Sequence, residues 1–162
     1  MANEVRNQFY TPQTIDCTNL DSLLTGDIWH SDAISTSPTA NSQYPYLFIH
    51  YSLDWTGAAA GDTAEFYYLR SDSNVSGELW EGNVPSVSSK LTVDADVAAV
   101  RDNVVPVHRH VLGATVNQSN QNGVIEIEMP WPKWKLAIYV VGAGIAASGS
   151  EITYTYAEPK GV

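Results

Sequence analysis

Basic residues are scarce in this chain, cysteine is nearly absent, and charge of either sign is thin. Its 162 residues hold 8 Lys and Arg against 18 Asp and Glu, a formal net charge of −10. Such an acidic surface repels phosphate backbones, so nucleic acid is not an expected partner. Cys17 is the one cysteine. No internal disulfide can form, and folding in a reducing cytoplasm is the simplest expectation. There is no run of ~18 apolar residues, so no membrane span is expected. The opening MANEVRNQFY lacks the charged-then-apolar pattern of a secretion signal. The sequons at Asn74 and Asn117 are therefore read as chance matches.

Catalytic signatures are missing too. No GxSxG, CxxC or HExxH occurs, and Gly142-x-Gly144 lacks the third glycine of a nucleotide loop. Cys17 has no neighbour that would stabilise a thiolate. His108 and His110 are the weak candidates for metal binding, since residues two apart on a strand share a face. A zinc site needs about four ligands, so a polar strand face is the simpler reading. Asp94-x-Asp96 lacks the rest of a calcium loop, and Asp94 reads as a helix cap. Glu126 and Glu128 point the same way on one strand, whereas glycosidase carboxyls flank their substrate. No enzyme activity, metal or cofactor is expected.

What the chain does have is hydrophobic content of 44% with only 16% charged residues. That composition folds rather than staying disordered. The length suits one domain that buries roughly 68–70% of its unfolded surface. Period-2 segments dominate. Leu47, Ile49, Tyr51, Leu53 and Trp55 alternate with Phe48, His50, Ser52 and Asp54, and Thr63 to Arg70 follows after a glycine-rich turn. This pair predicts a hairpin. Further strands are predicted at Glu78–Glu81, Lys90–Val93, Val104–Val111, Val124–Met129, Leu136–Val141 and Glu151–Tyr156. Helix is limited to Asn19–Thr25 and Asp94–Asp102. Ser31–Tyr46 and Val116–Gly123 read as polar surface loops. The expected fold is all-β: a single-domain antiparallel β-sandwich or barrel, jelly-roll-like, with at most one or two short helical turns. It occupies residues 12–162. Residues 1–11 form an N-terminal arm that orders on docking.

Five Trp and nine Tyr are many for this length. They either seal the ends of a sandwich or anchor a partner. The stretch MPWPKWKLAIYVVGAG concentrates the question. Pro130 and Pro132 fix φ and hold their predecessors extended, so the preceding strand stops there. Trp131 and Trp134 ride a stiff connector, beside Lys133 and Lys135, into a buried strand. EITYTY then returns antiparallel as a C-terminal hairpin.

This ending resembles that of small virion proteins encoded in the head modules of tailed bacteriophages. The matching residues are Pro132, Lys133, Trp134, the strand Leu136–Val141, Gly144, Ala146, Ala147, Gly149 and Ile152–Tyr156. Phe9-Tyr10-Thr11 and the order of the two middle strands fit more loosely. Two departures stand out: Ile127-Glu-Met-Pro-Trp where the family commonly has Gly and Phe, and Gly142-Ala-Gly where it has an Asn. The resemblance implies a decoration (cement) protein on the outer surface of the virion head, present in host cytoplasm during assembly. It implies the major capsid protein as partner. Self-association, a trimer included, is what an exposed sheet edge would allow. Phe9, Tyr10, Trp131, Lys133 and Trp134 are the interface candidates. Rival readings are a carbohydrate-binding or host-recognition module, a tail or head–tail component, and a metal hydrolase or isomerase built on His108 and His110.

Overall fold

Strand alternation tells which face of a segment is buried, and the chain satisfies it by packing two sheets face to face. The computed structural model describes residues 5–35, 44–71, 79–85, 87–113, 121–128 and 130–161. In the first sheet, β1 (Val5–Phe9) and β2 (Gln13–Ile15) both pair with β13 (Glu151–Gly161). Then come β5 (Tyr46–Leu53) and β10 (Gln121–Glu128). The second sheet runs β8 (Ser89–Leu91), β3 (Ile28–His30), β11 (Lys133–Val141), β7 (Thr63–Arg70), β9 (His108–Val111), and β4 (Ile34–Ser35) continues β3 along β11. The pairings within both sheets are antiparallel.

Treat β1/β2 and β3/β4 as two interrupted strands. The sheets then read (β1/β2)-β13-β5-β10 and (β3/β4)-β11-β7-β9, with β8 added at one edge. Successive strands change sheets at each step except from β7 to β9. This order is the double Greek key of an eight-stranded jelly roll. It is an open sandwich and not a closed barrel.

Two predicted hairpins are corrected. The strands β5 and β7 do not pair, and neither do β11 and β13; each pair belongs to different sheets. Both connections are arches across the sandwich. They lie side by side, because β6 (Trp55–Thr56) in one pairs with β12 (Gly144–Ile145) in the other. A bond from Ala146 N–H to the Asp54 carbonyl at 2.8 Å ties them further. A turn sequence reports that the chain reverses, not which sheet receives it.

Within the segment expected as an N-terminal arm, Val5–Phe9 pairs with β13, in register with Ala157–Gly161. Asn19–Thr25 makes turns without becoming a helix, and Ser22 takes a left-handed φ of 59°. The helix α1 spans Asp94–Asn103, but Val93 occupies the cap and Asp94 begins the first turn. A 3₁₀ turn at Glu81–Asn83 replaces the strand predicted to end at Glu81; Glu78 lies outside the described residues. Gln121, Asn122 and Gly123, read as loop, open β10, while 116–120 lie outside the described residues, as do 36–43 of the other loop and both sequon asparagines.

The core has two parts. Between the sheets lie Trp29, Leu47, Ile49, Leu53, Phe66, Trp134, Leu136, Ile138 and Ile152, with others. On the outer side of the second sheet, Trp80, Val84, Leu91, Val97 and Val100 cover Ile28, Tyr67, Leu69, Ala137 and Tyr139. The second part comes from the long β7–β9 connection, which folds back over its own sheet. It explains why β11 is apolar almost throughout. A central strand covered on both faces has no wet side.

Candidate interaction surfaces

Covering one sheet and not the other leaves the molecule two-sided. The outer face of the first sheet is bare among the described residues. Register fixes what it displays. Phe9, Ala157, Tyr46 and Glu128 form one row, Thr155, Phe48 and Glu126 the next, and Thr153, His50 and Val124 a third; Ala157 and Thr155 are buried among their neighbours, and the others reach the surface. Phe9 is 58% exposed and Val124 52% exposed. The Phe9 and Phe48 rings lie 5.4 Å apart, so they form one aromatic patch. Exposed Glu126 and Glu128 border it, and exposed Glu151 lies beside Ser52 in the row beyond Val124. Exposed apolar residues grouped beside carboxylates are a surface suited to a partner with a basic rim.

The opposite face shows how such a surface is closed. There Lys135 is buried in β11, its Nζ 4.8 Å from the Trp80 ring centroid, and it donates to the Pro85 carbonyl. Arg101 from α1 lies 4.3 Å over the Tyr139 ring. Cationic stems and rings together replace solvent.

At the end of the sandwich where β10 stops, Trp131 stands on the connector to β11. Its main-chain N–H donates to the Tyr68 hydroxyl at 2.7 Å, and its indole N–H donates to the Ser71 carbonyl at 2.8 Å. The ring is fixed, yet it is 46% exposed. Trp134, three residues on, is wholly enclosed. It stacks at 5.4 Å on Tyr68 and donates to the Tyr156 hydroxyl at 3.1 Å. Of the five interface candidates, then, Trp134 has no surface to offer and serves the core. Lys133 is half-buried at the start of β11, where it faces Ser35 in register. Tyr10 is half-buried and donates to the Glu158 carboxylate at 2.5 Å, which holds its hydroxyl pKa up at about 12. Phe9 and Trp131 are the two with open aromatic surface, one on the bare face and one at the sandwich end.

His108 and His110 do share a face, as their spacing predicts, and it is the inner one. Both imidazoles converge on one hydroxyl. Tyr51 from β5 meets His108 Nε2 at 2.9 Å and His110 Nδ1 at 3.0 Å. One hydroxyl has a single proton, so it donates to one ring and accepts from the other. His110 Nε2 is buried without a partner among the described residues. A buried lone pair is less costly than a buried N–H, which assigns the His110 proton to Nδ1 and the Tyr51 proton to His108. Burial, and then His110, push the His108 pKa down. Burial raises Tyr51 to about 12. The pair thus bridges the two sheets through the Tyr51 hydroxyl. Among the described residues no three His, Cys, Asp or Glu gather as metal ligands.

Cys17 is half-buried, and its thiol meets the Ile15 carbonyl at 3.4 Å. Burial pushes its pKa up to about 11, the wrong direction for a nucleophile. Tyr51 and the Arg70–Glu81 pair were not singled out from the sequence. Tyr51 reads there as one more inward aromatic on an alternating strand. Nothing in the spacing of Arg70 and Glu81 announces that they meet.

No family model matches the chain, and no curated protein matches it. Among solved structures, a chain from desmodium yellow mottle tymovirus is similar at 15% identity, covering 99% of this chain and 91% of that one, with a TM-score of 0.35. A superposition that loose carries no argument. The jelly-roll assignment rests on strand order and register.

Proposed function

We propose that this chain is a structural protein of a tailed-bacteriophage virion, a decoration protein that binds the outside of the assembled head and stabilises it. The observation that carries the reading is the two-sidedness of the sandwich. One outer face is closed by the chain's own insertion, and the other presents Phe9, Phe48 and Val124 beside three glutamates. Two further supports are independent of it. The C-terminal residues from Pro132 to Tyr156 resemble head-module virion proteins. The jelly roll is also an architecture of viral capsid and lectin domains, which is an analogy of fold and not of site.

The mechanism is adhesion. The major capsid protein is the partner, through an apolar patch ringed by Lys or Arg. Binding to the assembled lattice alone stabilises it by mass action, about RT ln(1 + [L]/Kd) per site. Repetition over the lattice multiplies a modest contact, more so if copies associate with one another. The bare faces of two copies repel through their glutamates, so self-association, a trimer included, uses sheet edges such as β1 or β10. The protein makes and breaks no covalent bonds, meets neither nucleic acid nor membrane, and passes through host cytoplasm on its way to the virion.

Quantitative mass spectrometry of gradient-purified particles tests this. The expected result is a copy number commensurate with the capsid lattice, and stripped particles that rupture at lower temperature. One or two rings' worth of copies would place the protein at the tail or connector instead. Its absence from particles would end the reading.

A further inference from the structure

The tryptophan corner builds a recess that the docking face does not use. Arg70, Ser71, Leu79, Trp80, Glu81 and Trp131 line a cavity of about 410 Å³. That is the size of a small-molecule site, roughly 300–1,000 Å³. Its apolar wall is preformed. Trp131 sits between Pro130 and Pro132, and hydrogen bonds at both its main-chain and indole N–H hold it in place. Leu79 adds an aliphatic side chain that is 63% exposed. A ring fixed before binding loses little freedom on binding.

The polar wall is equally fixed. Arg70 Nε donates to Glu81 Oε1 at 2.9 Å, and the Arg70 main-chain N–H donates to Oε2 at 3.0 Å. Arg70 Cζ lies 5.8 Å from the Trp131 ring centroid, so the fork borders the aromatic face. The two charges cancel. An anion or a cation therefore meets no net counter-charge here, which argues against phosphates, nucleotides and metal ions. What remains is a flat apolar surface beside a donor and an acceptor: guanidinium N–H groups not spent on Glu81, and carboxylate lone pairs. The complementary ligand is neutral and flat, with a C–H face on one side and hydroxyls that donate and accept around its rim.

We propose that this recess binds a pyranose unit of a neutral glycan, its C–H face stacked on Trp131 and its hydroxyls bonded to Arg70 and Glu81. The site is separate from the bare sheet face, and the proposal does not depend on decoration of a head.

The test is a titration of isotopically labelled full-length protein with maltotriose, cellotriose and chitotriose, with an array of bacterial-surface and mucin glycans alongside. The readouts are the Trp131 indole N–H and Arg70 Nε–H resonances. A saturable shift of both signals by at least one glycan is expected. Trp131→Ala weakens that binding by about tenfold or more, equivalent to ~1.4 kcal/mol, and Trp131→Phe weakens it less. Thermal melts of both variants separate binding from folding. Trp131→Ala still adds to particles if the decoration reading holds, so the two ideas fail separately. No shift from any glycan would overturn the proposal, as would full binding by Trp131→Ala. So would a proline-rich peptide that moves these signals when no glycan does.

Discussion

Gly123→Ala isolates a single steric relationship at the bridge between the sheets. Gly123 is opposite Tyr51 in the β5–β10 register. Its φ is not in the positive range, so alanine fits the backbone. The obstacle is the side chain across from it. A Cβ at this position would lie 2.1 Å from the Tyr51 hydroxyl oxygen and 2.3 Å from Cζ. Glycine is present because the phenol ring lies flat across it. To admit a methyl group, Tyr51 must swing away from His108 and His110. Overpacking costs ~1–3 kcal/mol, and the disturbed hydrogen bonds add about 1 kcal/mol. The expected loss is thus ~2–4 kcal/mol. At roughly 2–4 °C per kcal/mol for a chain of this size, the melting temperature falls by about 5–15 °C. Urea unfolding measures it. A double-mutant cycle with Tyr51→Ala supplies the control: once the ring is gone, the methyl group has nothing to strike, so the two changes are strongly non-additive. A Gly123→Ala protein within ~0.5 kcal/mol of the parent, or simple additivity with Tyr51→Ala, would refute the reasoning.

Acid weakens the fold. His30 is fully buried, and burial pushes its pKa down to about 4 from an ordinary 6.5. Below pH 6.5 the unfolded chain binds more protons than the folded one, so stability is lost as pH falls from about 6.5 toward 4. The loss approaches ~3 kcal/mol, and His108 acts in the same direction. Urea melts from pH 7 to 4.5 should show the slope, with His30→Gln flattening it. The two corner tryptophans should separate cleanly. Trp134→Ala costs ~3–5 kcal/mol by emptying the core, whereas Trp131→Ala costs about 1 kcal/mol or less, read from the same melts.

Local pattern carried the longer strands β5, β7, β10, β11 and β13 and their inward faces, because period-2 burial is written residue by residue. The strands β1 to β4 are too short for it, and Ile34–Ser35 lies within a stretch that reads as loop. The Thr63–Arg70 strand has the bounds its sequence suggests, and β10 shows Ile125 dry between exposed Val124 and Glu126. Pairing was less legible. The β5–β7 and β11–β13 connections read as hairpins because each has a glycine turn between apolar strands. Nothing local distinguishes a turn within a sheet from an arch between two. The insertion over the second sheet was hidden for a related reason. Val97 and Val100 look like a weak amphipathic turn until Tyr67, Leu69 and Tyr139 are known to face them. For the candidate site, aromatic richness pointed to contact surfaces, and Phe9 and Trp131 do present open rings. Trp134 could not be told from Trp131 by composition. The difference is that Trp134 lies inside the β11 ladder and Trp131 ahead of it.

The central idea is that the molecule attaches through the uncovered face of its first sheet, and hydroxyl-radical footprinting on particles tests it most directly. Phe9, Phe48 and Tyr46 are to be labelled in free protein and again in the presence of gradient-purified heads lacking the protein, with Trp131 and Leu79 as references. The account predicts that labelling of Phe9 and Phe48 drops several-fold on the particle while that of Leu79 persists. Unchanged labelling at Phe9 and Phe48 on decorated heads would contradict it.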